Sequence, residues 1–341
     1  MAALTDSGTL VRMAYQGLRN LNIDADEVLR RSGLNPKKLY KPNLRTQFSA
    51  QPIFWQAAVE LSGDPSIGLH LGEKMPVYKG QILEYLLLSS ANFGDGLKRI
   101  LNYQRLISDA MHGKLIDDSE PYLTNYYSDH QYLTPHLAES MVVSLIRFLR
   151  SVTDDKFQPK SICFTHSPNT NLSEYKRVFQ CPVEFDCKQF KLFFDRNVLD
   201  YRCPYAEPEL LSMHVRSADQ HMQLLEKRDL ITAVRSQVGA LLESGDISLQ
   251  TISNQLGISA RQLRHQLHLA GTSLQKIINQ HRKSLSKQLL TQTDESIDEI
   301  VYLTGFSEPS TFYRAFKRWE GMTPIAYRNQ HQSDLQQNTT V

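Results

Sequence analysis

Two short runs near the C-terminal end carry side chains suited to recognising DNA. Arg261, Gln262, Arg264 and His265 fall in the first, and Ser310, Tyr313, Arg314 and Lys317 in the second. A guanidinium offers two parallel donors that match the O6 and N7 acceptors of guanine, a contact worth about 1–3 kcal/mol of discrimination against a wrong base. Amides, hydroxyls, imidazoles and ammonium groups reach base edges or phosphates. The chemistry expected of these residues is therefore recognition, with no bond made or broken.

Bond-making chemistry has weaker support. No cysteine precedes Cys163, so a repair-type methyl transferase fused to a DNA-binding unit would lack its activated thiol near the N-terminus. The four cysteines, Cys163, Cys181, Cys187 and Cys203, form no C-x-x-C pair, and reduced thiols are expected in preference to disulfides. A metal site combining them with His166 is the one such arrangement left open. His112, His130, His136 and Glu139 show no H-E-x-x-H spacing. No catalytic residue, resident metal or cofactor is expected.

The elements that must position the two runs follow from periodicity. Ile297, Ile300, Val301 and Tyr302 recur at helical spacing, and Gly305 stops the pattern where a left-handed backbone suits glycine. Phe306 then anchors the turn, Ser307 is placed to cap the next helix, Pro309 suits its first turn, and Phe312 with Phe316 gives it one apolar stripe. The outcome is a helix-turn-helix over 294–317. The same order of helix, glycine turn, serine cap and helix recurs over 247–268, where Ile252, Leu256, Ile258, Leu263 and Leu267 form the core and the polar run stays outside. Arg264 and Arg314 are expected at corresponding places in the two motifs. Between them Ser273–Thr291 reads as one long helix of roughly 28 Å at about 1.5 Å per residue, close to the ~34 Å of one DNA turn.

The series I-x-x-I-V-x-x-x-G-F-S-x-x-S-x-F-x-R-x-F-K-x-x-x-G-x-T-P-x-x-Y-R from Ile297 to Arg328 closely resembles the signature of the AraC/XylS family of bacterial transcription regulators. The resemblance aligns Arg261, Arg264 and His265 with base-reading positions in the first unit, and Pro309, Ser310, Tyr313 and Arg314 in the second. Three departures stand out. Leu267 takes the place of a usual Phe, Ser253 and Ser286 take the place of small Ala, and Pro309 cannot itself donate to a base.

Upstream the texture is mixed. Residues 5–75 look helical throughout, and Gly80–Ser89 reads as an apolar helix continuing into Gly96–Ser108. A hairpin is expected over Gly113–Tyr127, a helix over His136–Leu149, and short strands at Ser161–Phe164, Cys181–Phe185 and Gln189–Phe194. Separate helices are expected over Leu210–Arg228 and Leu230–Leu242, the second ending at Ser244-Gly245. Glu60–Pro65 with Ile67-Gly68-Leu69, Gly80 with Tyr85–Ser90, His166-Ser167-Pro168 with Tyr175 and Phe179, and Pro182–Phe185 together resemble the arabinose-binding-like sensor of the ornithine-utilisation-regulator-like branch, over about residues 10–215.

The resemblance implies an α+β N-terminal sensor domain for effector binding and dimerisation over 1–225, and an all-α DNA-binding domain over 226–328 with two helix-turn-helix motifs joined by a long helix. A disordered tail is expected over 329–341, where Gln, Asn and Thr dominate. With 341 residues and a net charge of only +2, any nucleic-acid surface must be local. From Ile247 to Arg328, ten basic residues stand against six acidic ones. Asp294, Glu295, Asp298 and Glu299 are expected to favour the start of the following helix through its dipole.

No run of about 18 apolar residues is present to span a membrane, and the first twenty residues lack a secretory pattern, so a cytoplasmic protein is expected. The function expected is an effector-controlled, sequence-specific transcription regulator, an activator, with promoter DNA, RNA polymerase, a second copy of the chain and an amino acid or related metabolite as partners. Tyr85, Tyr103, His136 and Phe148 are the candidate effector contacts, although aromatics at such spacing also serve as plain core. A ligand-independent architectural DNA-binding protein is the main alternative.

Overall fold

The computed structural model describes residues 4–242 and 247–338, with side chains through His331. Packing divides the chain into two compact units, one reaching Gln223 and one beginning at Leu224.

The first unit is α+β. It contains β1 (Thr5–Ser7), α1 (Gly8–Asn20), α2 (Ala25–Arg31), β2 (Arg45–Gln47), α3 (Gln51–Ser62), α4 (Ile67–Lys74), α5 (Ile82–Leu88), α6 (Phe93–Asn102), β3 (Met111–Ile116), β4 (Tyr122–Tyr127), α7 (Pro135–Ser151), β5 (Pro159–Cys163), α8 (Leu172–Phe179), β6 (Val183–Glu184) and β7 (Lys191–Phe194). The five-stranded sheet runs β3-β4-β7-β5-β6, antiparallel except for the β5–β6 pair. The expected hairpin is β3–β4, in which Met111 pairs with Tyr127 and Ile116 with Tyr122.

Two expectations fail here. Residues 5–75 are not helical throughout, because β1 and β2 pair antiparallel with Asp6 opposite Thr46. Asp6 is buried and accepts from Ser108 Oγ at 2.6 Å and Gln51 Nε2 at 2.9 Å, partners far away in sequence that hold this strand. The apolar helix from Gly80 also does not run on. It stops at Leu88, and Asn92 caps a separate α6 by accepting from the Asp95 N–H at 2.8 Å.

Helices α4 and α7 cross closely, and glycine permits it. A Cβ on Gly68 would lie 2.6 Å from the His136 Cα, and one on Gly72 2.7 Å from the Val143 Cβ. Two apolar clusters fill the unit. One gathers residues of α5, α6, α7 and the sheet, and the other lies among α1, α2, α3 and α4.

One helix, α9 (Pro208–Leu241), replaces the two expected over this stretch. No Gly or Pro occurs between Glu209 and Val238 to interrupt it. The stop expected at Ser244-Gly245 lies outside the described residues. The second unit continues with α10 (Leu249–Gln255), α11 (Ala260–Leu269), α12 (Leu274–Gln292), α13 (Ile297–Leu303), α14 (Pro309–Glu320) and α15 (Pro324–Asn338). The tail expected to be disordered from 329 instead extends α15 to Asn338, and residues 339–341 lie outside the described residues. Neither Gly nor Pro follows Pro324. His331 stacks on Tyr327 at 4.0 Å and donates to its carbonyl at 2.9 Å, which carries the helix past residue 329.

Candidate functional site

Each helix-turn-helix has its own core. Val234, Val238, Leu242, Ile252, Leu263, Leu267, Leu274, Ile277 and Ile278 close the first, and Leu290, Ile300, Val301, Phe312, Phe316 and Tyr327 the second. Helix α12 supplies residues to both. The two turns are alike: Gly257 and Gly305 each adopt a φ of 68°, a conformation costly for any residue with a Cβ. Ser253 and Ser286 are fully buried, and their hydroxyls donate back to the Gln250 carbonyl at 3.0 Å and the Arg282 carbonyl at 2.6 Å. The small side chain is retained and its added polar atom is satisfied.

The starts of α11 and α14 differ. Ser259 caps α11 in a reciprocal box, accepting from the Gln262 N–H while Gln262 Oε1 accepts from the Ser259 N–H at 2.9 Å. Part of Gln262 is therefore spent on its own helix; the S-x-x-Q spacing is the sequence signal for this, and it went unused. Ser307 does not cap α14. The N-cap is Glu308, with no side-chain cap bond, and Pro309 occupies the first turn.

Counting from the N-caps Ser259 and Glu308 corrects the expected pairing of the arginines. Leu263 and Phe312 both stand four residues in, and Leu267 and Phe316 eight residues in, all buried. Arg264 is then five residues in and Arg314 six, so Arg264 matches Tyr313 and His265 matches Arg314. Residues two, six and nine beyond the cap share one helix face. That face carries Arg261, His265 and His268 on α11 and Ser310, Arg314 and Lys317 on α14, all exposed. Gln262 and Arg264 are exposed beside it, while Tyr313 is half-buried edge-on to Phe312. Arg314 Nε donates to the Ser310 carbonyl at 3.3 Å, which leaves its terminal nitrogens for a partner outside the helix.

Four of the ten basic residues counted in this stretch serve the fold. Arg282 Nη2 donates to the Gly305 carbonyl and its guanidinium lies 4.5 Å from the Phe306 ring centre, half-buried enough that burial lowers its pKa. Lys283 and Lys287 pair with Glu320 at 2.9 and 3.2 Å. Arg328 donates to the Glu295 carbonyl at 2.6 Å. The other six, Arg261, Arg264, Lys276, Arg314, Lys317 and Arg318, are exposed. Asp298 and Glu299 occupy the first turn of α13, where Ser296 accepts from the Glu299 N–H at 3.1 Å; Asp294 and Glu295 precede it.

The first unit contains a cavity of about 430 Å³ lined by residues of both apolar clusters. Of the four candidate effector contacts, only Phe148 lines it. Tyr85 stacks on His214 at 5.3 Å, and the Tyr103 hydroxyl donates to Asp219 at 2.7 Å, so both pack on α9. His136 turns to Trp55 and to Glu139, with Nδ1 3.7 Å from its carboxylate. Trp55 and Tyr78 are lining residues that the sequence did not single out. Local periodicity holds no signal for them, because six or more elements meet at this cavity.

Among the described residues, Cys163, Glu184 and Cys187 lie close enough to share an ion, as do His70, Glu73 and Glu174. His166, expected as a possible third partner of the thiols, instead has Nδ1 on the Ser167 carbonyl at 2.8 Å. Burial raises the Cys163 thiol to about 11, with Cys187 adding to the effect, which disfavours the thiolate a metal needs. Arg177 already holds Glu73 and Glu174, at 2.6 Å each.

Residues 23–203 match the model of the arabinose-binding domain of AraC transcription regulators, and residues 252–330 match a helix-turn-helix domain. The ornithine utilization regulator of Pseudomonas aeruginosa is 30% identical over 299 residues, 86% of this chain and 88% of that one. The regulator VqsM of the same organism is 22% identical, over 77% of this chain and 83% of its own. The crystal structure of CdpR, also from P. aeruginosa, aligns over 91% of this chain and 97% of its own, at 20% identity and a TM-score of 0.44. No helix among the described residues is long and apolar enough to cross a membrane. With an effector-binding-type domain ahead of paired helix-turn-helix units, and a relative matched along most of both chains, this protein belongs to the AraC family of ligand-controlled, DNA-binding transcription regulators.

Proposed function

We propose that the chain is a transcription activator that works in the cytoplasm as a homodimer, takes a small effector in the cavity of its first unit, and reads promoter DNA with α11 and α14. Arg261, Arg264 and His265 make the base contacts of α11, and Ser310, Tyr313 and Arg314 those of α14. Lys317 holds phosphate, and Gln262 contributes through its free amide nitrogen. The observation that carries this reading is the matched face on the two helices: the same burial register leaves the same positions free, and they hold donors. Helix α12, with its 19 residues, is roughly 28 Å long and suits two contacts about one DNA turn, ~34 Å, apart. A dimer would present four such helices, and their linkage multiplies weak single affinities. The cavity favours effector control over a purely architectural role, since a ligand-free DNA-binding unit has no use for it. Activation would then involve RNA polymerase at the promoter.

Selection of bound duplexes from a random pool by the full chain tests this proposal. The expected product is a motif with two informative blocks centred about one helical turn apart, about 10–10.5 base pairs, repeated once per protomer. Recovery of sequences with no common block would overturn it.

A further inference from the structure

We infer that the effector is an uncharged, single-tailed amphiphile, a medium-chain alcohol, ketone or ester, whose oxygen meets Ser144 and Tyr78 and whose chain fills the apolar cavity. This inference rests on the reading of that cavity as the effector site.

The wall chemistry comes first. At about 430 Å³ and about 30 Å³ per water-sized group, the space holds on the order of a dozen non-hydrogen atoms. Its lining is dominated by Leu, Ile, Val, Met, Phe and Trp side chains. Titratable side chains with a formal charge are few: Asp6, His130 and Lys188. His130 and Lys188 are exposed and stand at the rim. Asp6 is buried, its two oxygens are taken by Ser108 and Gln51, and burial lifts its carboxyl above the ordinary range against their pull. Among the described lining residues, no buried cation is present to receive a carboxylate and no free buried carboxylate to receive an ammonium. A zwitterionic amino acid would enter with both its charges unmatched, which a water-poor interior penalises severely.

Two hydroxyls point to where a neutral oxygen would sit. Ser144 Oγ on α7 is buried and has no partner among the described residues. Two other serines in helices, Ser253 on α10 and Ser286 on α12, donate back to the preceding turn, to the Gln250 carbonyl at 3.0 Å and the Arg282 carbonyl at 2.6 Å. Ser144 does not, although a buried polar atom ordinarily finds a partner. Tyr78 lines the same cavity, and burial drives its phenol well above the ordinary range, with Glu84 adding to the effect. Its hydroxyl makes no hydrogen bond among the described residues, in contrast to Tyr175, whose hydroxyl donates to Glu139. Both groups neighbour Phe148. The Tyr78 ring meets Phe148 edge-on at 5.7 Å, and Phe148 follows Ser144 by one turn on the same face of α7. A ligand hydroxyl or carbonyl oxygen placed there accepts from both.

Trp55 lines the cavity and supplies a signal. The chain has two tryptophans, so Trp319→Phe in the full-length protein leaves Trp55 as the single indole. Titration with 1-decanol, decanoate and L-ornithine, reading Trp55 emission, is the test. Decanol is expected to give a saturable change at concentrations at least tenfold below decanoate, and L-ornithine none. Ser144→Ala combined with Tyr78→Phe is expected to weaken decanol about tenfold, and Ser144→Phe, which fills the space, to abolish its effect. Saturable binding of L-ornithine without decanol, tighter binding of decanoate than decanol, an undiminished decanol response in the double variant, or no response to any probe would each overturn the inference. Duplex binding measured on the same preparations separates the two readings. Loss of sequence-specific DNA binding with the decanol response intact sinks the regulator proposal alone, and the reverse result sinks the ligand class alone.

Discussion

Leu263 and Leu267 on α11 stand where Phe312 and Phe316 stand on α14, four and eight residues beyond their caps, and all four are fully buried. The first core is aliphatic throughout. The second adds aromatic rings to Leu290, Ile300 and Val301, with Phe312 in ring contact with Phe306, Tyr313 and Phe316. One backbone plan is thus filled with two different sets of side chains. What the units share is the position of burial and the glycine turn; the chemistry of the exposed face is free to differ, as Arg264 opposite Tyr313 and His265 opposite Arg314 do. On the proposed reading, each unit would therefore contact a different block of sequence without any change to its fold.

The comparison breaks first at the cores. Phe312→Ala should cost about 3–5 kcal/mol and Leu263→Ala about 2–5 kcal/mol, read from denaturant midpoints of the full chain. If Phe312→Ala proved the milder, the aromatic core would not be the tighter of the two. The turns differ more subtly. Gly257 and Gly305 share a backbone conformation, but a Cβ on Gly257 would meet nothing within 4 Å, whereas one on Gly305 would lie 2.6 Å from the Leu242 carbonyl oxygen. Gly257→Ala should cost about 1–2 kcal/mol, the strain of the left-handed backbone, and Gly305→Ala clearly more. Equal costs would mean that Leu242 yields freely.

The reading faces come next. Arg264→Ala and Arg314→Ala should each relax base preference at one position by about 1–3 kcal/mol, and because the two arginines differ in register, the positions should not be equivalent within their blocks. Lys317→Ala should weaken all duplexes alike and reduce the salt slope by about one unit. A base-specific effect at Lys317, or a uniform one at Arg314, would redraw the face. The smallest expected effect is at the caps. Ser259→Ala should cost about 1 kcal/mol, while Glu308→Ala, which removes no cap bond, should be close to neutral by thermal unfolding.

The parts legible in the sequence are those written in short-range periodicity. Ile252, Leu263, Phe312 and Phe316 recur at helical spacing within a few turns, and both glycine turns sit between such stripes, so the helical unit could be derived residue by residue. The α+β character of the first unit was legible too, through the alternation at Lys114–Ile116 and Tyr122–Tyr127. What escaped depends on contacts between distant residues. Arg282 counts as a basic residue in any tally, yet it spends its charge on the Gly305 carbonyl 23 positions away. Tyr85 and Tyr103 look like pocket aromatics until α9, more than a hundred residues later, brings His214 and Asp219 to them. The cavity itself is bounded by segments from β1 to the stretch just before β7, and no local pattern encodes a space left empty.

Because α12 places Ile277 and Ile278 in one core and Leu290 in the other, it acts as a ruler with no slack. Adding one residue to it would turn everything beyond by about 100°, out of phase with any duplex the protein had matched. With α11 and α14 reading DNA as proposed, drift in target preference would proceed by exchanging side chains on those helices within a constant pitch, and regulated promoters would inherit that pitch as a rule of their own grammar.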